Sequence, residues 1–137
     1  MAKIQILYEG SLRTRCIHEE SGSEIETDAP KDNFGKGEKF SPTDLVAVAL
    51  GSCVLTLIGI AANKLKVDLT GLRLTAMKQM AVQPSRRIGK IVIDVYCPGQ
   101  FPPEIQQKFE VAAKTCPVHH SLHPEIVQEL TFHWGAP

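Results

Sequence analysis

The chain has 137 residues, enough for one domain with a hydrophobic core of its own. Lysine plus arginine and aspartate plus glutamate number 15 each, so the formal net charge is zero. That balance, with no interleaved basic and aromatic residues, argues against nucleic-acid binding or a hold on an anionic membrane surface.

In chain order, Ile4, Ile6 and Tyr8 alternate with polar residues, and Glu9-Gly10 marks a turn. Leu12 to Glu19 and Ser23 to Thr27 read as two further short strands, so the chain opens as an antiparallel meander. Asp28 to Lys39 mixes proline, glycine, asparagine and charge, and reads as a loop. Ser41-Pro42-Thr43-Asp44 has the signature of a helix start: a serine N-cap, proline at the first helical position, and an acid in the first turn. The helix is expected to run to about Asn63. Leu69 to Val82 and Arg86 to Cys97 read as long strands joined near Gln83-Pro84-Ser85. Pro103 to Thr115 has helical spacing, Cys116 to Leu122 is a short turn or helix, and Ile126 to Trp134 is a last strand. The order β-β-β-α-β-β-α-(α)-β predicts an α+β fold in a single domain, residues 1–137.

Leu45 to Ala62 is 18 residues without a formal charge, close to the minimum of about 17 for a membrane span. Gly51, Ser52, Thr56 and Gly59 interrupt it, and the surrounding chain reads as soluble strands, so a core helix is expected and no membrane. Its many small residues leave several faces bare. A domain of this size has few elements to cover such a helix, which suggests a dimer packing two copies of it together. A near-neutral chain is also prone to self-association.

The four cysteines, Cys16, Cys53, Cys97 and Cys116, are widely spread with no C-x-x-C. No charged region followed by an apolar run opens the chain. A disulfide-stapled secreted domain is disfavoured, and a reducing cytoplasm is the expected compartment. Cys53 lies in the most apolar stretch, where a free thiol is as readily a small buried hydrophobe as a reactive group. Reactivity would need a nearby cation, and Arg13 and Arg15 share one face of a strand. Cys116 precedes Pro117. As an N-cap its thiolate would be favoured by free backbone N–H groups; otherwise the pair only marks a tight turn. Cys16 and Cys97 read as structural. A metal site from Cys116, His119, His120 and His123 is set aside, because His123 precedes proline and no further cluster completes four ligands. No metal or cofactor is expected.

Ser41-Pro42-Thr43-Asp44-Leu45 followed by Ala49-Leu50-Gly51-Ser52-Cys53 resembles the central-helix motif of the OsmC/Ohr family. Cys116-Pro117-Val118 with Ser121-Leu122 resembles its second motif. The resemblance implies an intertwined homodimer of α+β subunits, antiparallel sheets packed on a long central buried helix, and thiol-dependent reduction of organic hydroperoxides. By that resemblance Cys53 attacks the peroxide, Cys116 resolves it, Arg13 (alternatively Arg15) activates the thiolate, and an external dithiol completes the cycle. An alternative is a non-enzymatic dimer that binds a small apolar or thiol ligand. One departure matters: the family's peroxidase branch carries a glutamate at the position of Thr43, which orients the arginine. Without it, the arginine is expected to be differently paired or mobile.

Overall fold

The computed structural model describes residues 1–136. The chain divides into two compact units, Met1–Val46 and the remainder from Ala47.

The first unit is a three-stranded antiparallel meander, β1 (Ile4–Gly10), β2 (Arg13–His18) and β3 (Glu24–Asp28), in the order β1-β2-β3. A tight turn joins β1 to β2, with Ser11 and Leu12 both at positive φ (53° and 62°). Most residues avoid that conformation, so the turn holds two strained positions beside Arg13. Past β3 the loop includes a 3-10 turn at Lys31–Asn33 and returns to the sheet, where the Asp28 N–H donates to the Phe40 carbonyl at 3.0 Å. Gly35 has a steric reason: a Cβ there would collide with the Ala29 backbone.

Helix α1 (Pro42–Lys64) starts where the sequence predicts. The Asp44 N–H donates to Ser41 Oγ at 3.0 Å, and the Ser41 N–H donates to Asp44 Oδ2 at 2.9 Å. Two N-terminal donors are thus satisfied reciprocally in a capping box.

In the second unit, α1 buries a stripe of Ala47, Leu50, Gly51, Val54, Ile58 and Ala62, at the three- and four-residue spacing of one helix face. Gly51 permits a close approach to the sheet, since a Cβ there would stand 2.9 Å from Leu74 Cδ1. The sheet consists of β4 (Arg73–Ala81), β5 (Arg87–Cys97) and β6 (Val127–Trp134), in the order β4-β5-β6. Ile91, Ile93, Val95 and Cys97 alternate inward along β5 and are all buried. Full burial of side chains such as Ile58 and Ile91 stabilises by roughly 2–3 kcal/mol each. Helices α2 (Pro103–Lys114) and α3 (Pro117–Ser121) lie between β5 and β6 in sequence. Phe109 of α2 is fully buried, edge-to-face with Phe101 and stacked with Trp134.

Two expectations need adjusting. The second sheet is not wholly antiparallel: β4 pairs antiparallel with β5, but β6 runs parallel to β5. The α2–α3 segment is long enough for the crossover that parallel neighbours require, whereas a hairpin would not be. The central helix is buried along one stripe rather than all round, and Val48 and Ile60 are exposed in the single chain. By length and composition α1 could cross a membrane, yet its buried stripe is the face set against the second sheet.

Candidate active site: a paired dithiol

Cys53 and Cys116 meet. Cys53 sits on α1 between the buried residues Leu50 and Val54 and is half-buried. Cys116 is fully buried at the entrance to α3. The two side chains are near enough to influence each other's ionisation, and both are free thiols. Pro117 is the first residue of α3 and Cys116 is its N-cap, the first of the two readings open for the Cys-Pro pair: the His119 N–H donates to Cys116 Sγ at 3.3 Å. Burial pushes the Cys116 thiol up, and its hydrogen bond to Cys53 adds to that. The backbone N–H groups of His119 and Val118 pull it back down. Cys116 therefore holds its proton at neutral pH while donors already face the sulfur that must later carry charge. A disulfide between them needs their Cα atoms within about 7 Å, or a shift that brings them there.

The other two cysteines are also free. Cys16 is half-buried with the Thr14 hydroxyl at 4.0 Å. Cys97 is buried in the second sheet, and burial alone pushes its thiol up.

A cavity of about 310 Å³ lies between α1, the α2–α3 segment and the second sheet. Leu50 and Val54 line it from α1, Ile93 from β5 and Leu130 from β6, with Lys114 and His119 among its polar groups. It falls at the small end of ligand-sized sites, which run from about 300 to 1,000 Å³. His119 is held by Gln128 of β6, a residue the sequence reading passed over: the ring Nδ1–H donates to Gln128 Oε1, and Gln128 Nε2 donates to the His119 carbonyl at 3.3 Å. The histidines do not gather around a metal. His123 Nδ1 accepts the Glu125 N–H at 3.1 Å, and among the described residues no three metal-ligating side chains converge.

In the first unit, Arg13 is gripped by two acids. Its Nε and one terminal nitrogen donate to the two oxygens of Asp28 at 2.7 and 2.8 Å, and the same terminal nitrogen donates to Glu38 at 3.0 Å. Asp28 is almost fully buried, and its Oδ2 also accepts the Glu38 N–H at 3.1 Å. The Arg13 hydrogen bonds hold the Asp28 carboxyl below the ordinary carboxylate range against the cost of its burial. Arg15 instead forms outlying pairs with Glu24 (2.9 Å) and Glu9 (3.7 Å).

A family model described as OsmC-like protein matches residues 35–131. The chain belongs to the OsmC-like family. A solved structure from Psychrobacter arcticus 273-4, named for osmotic stress induction and a detoxification response, is 44% identical over 97% of this chain and 96% of its own, with a TM-score of 0.92. Organic hydroperoxide resistance proteins share the OsmC-like fold at low identity. That of Legionella pneumophila is 16% identical (96% of each chain, TM-score 0.78), and that of Elizabethkingia anophelis is 18% identical (96% and 94%, TM-score 0.76). No curated protein matches the chain.

Within this family the departure at Thr43 acquires a structural reading. The Thr43 hydroxyl is hydrogen-bonded to Ser41 Oγ at 3.1 Å, so it serves the cap of α1. Arg13, the arginine that the resemblance best matches, is paired with the carboxylates of Asp28 and Glu38. Both acids fall in the segment Asp28 to Lys39, which reads from sequence only as a loop and carries no signal of a partner for Arg13.

Proposed function

We propose that this OsmC-like protein is a thiol peroxidase that reduces organic hydroperoxides through Cys53 and Cys116. The observation that carries the proposal is the contact between two free thiols on the two motif-bearing segments. The Cys53 thiolate attacks the distal peroxide oxygen and the O–O bond breaks. The alkoxide leaves as the alcohol once protonated, and Cys53 becomes a sulfenic acid. Cys116 Sγ then attacks the Cys53 sulfur and the S–O bond breaks. The thiol proton joins the leaving hydroxide as water, and a disulfide remains. An external dithiol reduces it by two exchanges. Arg13, rather than the more loosely paired Arg15, is the cation assigned to the Cys53 thiolate, with Asp28 and Glu38 fixing its orientation. The apolar wall that Leu50, Val54, Ile93 and Leu130 give the cavity suits an alkyl chain.

The working unit is a homodimer of whole OsmC-like chains in a reducing cytoplasm. Support comes from apolar surface that a single chain leaves open: Ile4, Ile6 and Tyr8 on β1 and Val48 and Ile60 on α1. The cavity also favours a second reading, a dimer that holds a small apolar or thiol ligand without turnover. The two separate on one assay. Peroxide consumption coupled to a dithiol, present in the wild type and absent in Cys53→Ser, is the enzyme's signature; a folded wild type that consumes none sinks it.

A further inference from the structure

We propose that Gln128 is a positioning residue for the resolving thiol, its two-point clasp on His119 holding the amide donors of α3 against Cys116 Sγ. The proposal rests on the reading that Cys116 resolves Cys53. Helix α3 has five residues, too few to be held in place by its own hydrogen bonds. Its internal bonds, such as Ser121 Oγ to the Pro117 carbonyl at 2.7 Å, do not tie it to the sheet. Gln128 does. One side-chain amide takes the His119 ring proton on its oxygen and donates its nitrogen to the His119 carbonyl, fixing ring and peptide together. The N–H of that same residue points at Cys116 Sγ. Gln128 itself stands on a rigid base, since β6 pairs with β5 from Val127 to Trp134.

The orientation of the amide also sets the histidine. With Gln128 Nε2 committed to a carbonyl, its oxygen faces the ring, so Nδ1 carries the proton in the neutral imidazole. The clasp matters at one moment. When Cys116 attacks, its sulfur loses a proton and gathers negative charge inside a buried site, where burial and the Cys53 neighbour both oppose that charge. The α3 amides oppose them, and a donor stabilises a developing anion most when it is already in place. The titratable groups around Cys116 are Cys53 from α1, His119 and His120 on α3, and Lys114 of α2 and Glu129 of β6 at the cavity.

The test isolates the resolving step from peroxide chemistry. Reduced protein is treated with 5,5′-dithiobis(2-nitrobenzoate). The half-buried Cys53 forms a mixed disulfide and releases one thionitrobenzoate; Cys116 then attacks Cys53 Sγ, forms the 53–116 disulfide and releases a second. The second phase is assigned by its loss in Cys116→Ser and followed between pH 6 and 9. In the near-isosteric Gln128→Met the second phase should slow about tenfold, the size expected for one weakened hydrogen bond to an ionising group. Its pH midpoint should move upward, and the slowing should exceed any change in the first phase. His119→Ala should do the same from the other side of the clasp, and the double variant should be no slower than either single one. An unchanged second-phase rate and midpoint in either folded variant, or a wild type with no second phase, overturns the proposal. A wild type that resolves normally here but ignores hydroperoxide leaves the clasp standing and removes the peroxidase reading instead.

Discussion

Phe109→Ala should cost about 4 kcal/mol of folding stability, and Phe109→Leu about 1–2. Phe109 is fully buried on α2, edge-to-face with Phe101 at 5.7 Å and 89°, and stacked with Trp134 at 6.2 Å and 25°. Emptying a buried phenylalanine site costs roughly 3–5 kcal/mol, the transfer of the ring plus the cavity left behind. Each aromatic pair contributes about 0.5–1.5 kcal/mol of that through ring geometry. Leucine refills most of the volume, so its cost reduces to the two lost ring contacts and an imperfect shape. Against a total near 5–15 kcal/mol, the alanine variant stays folded only at low denaturant. Trp134 is the chain's one tryptophan and sits in this cluster, so urea unfolding followed by its fluorescence reads the site directly. The midpoint should fall with the slope unchanged. A loss below about 1 kcal/mol for Phe109→Ala would refute the packing described for α2, the helix that leads into Cys116.

Ser41→Ala removes the acceptor for the Asp44 N–H; chemical denaturation should show a loss of about 1 kcal/mol, while Pro42→Ala, which leaves the cap bonds in place, should cost less. The Asp28 carboxyl lies below its ordinary range in the folded protein, so its contribution is complete above about pH 4. It disappears as pH falls through the lowered folded value. Wild type should therefore exceed Asp28→Asn in melting temperature at pH 6, and the gap should close towards pH 2. A gap independent of pH would show that the Arg13–Asp28 charge pair is not its source.

Features encoded within a few residues were legible from sequence. The serine cap of α1 is a local motif and forms as expected, and of the two readings open for Cys116-Pro117, N-cap or plain tight turn, the structure shows the N-cap. The sequence reads as strand from Leu69, but β4 begins at Arg73. Lys66 takes a positive φ, and Asp68 Oδ1 accepts the Thr70 N–H at 2.9 Å, so a turn precedes the strand and delays it to Arg73. Strand direction carries no sequence period, which hid the parallel pairing of β6. The same holds for partners chosen in three dimensions. Asp28 ends a strand and Glu38 lies in a polar loop, so neither signals its grip on Arg13; a single glutamine on β6 gives no hint of His119. The meeting of Cys53 and Cys116, 63 positions apart, rested on the resemblance of two motifs rather than on any pattern within either segment.

The proposed peroxidase makes Cys53 and Cys116 one redox unit. Reduced protein treated with one equivalent of an organic hydroperoxide should lose two hydrogens, about 2 Da in intact mass, with peptide mapping that joins Cys53 to Cys116. Cys116→Ser should instead gain one oxygen, on Cys53. A folded wild type that keeps Cys53 reduced under excess hydroperoxide, or that oxidises first at Cys16 or Cys97, would contradict the account.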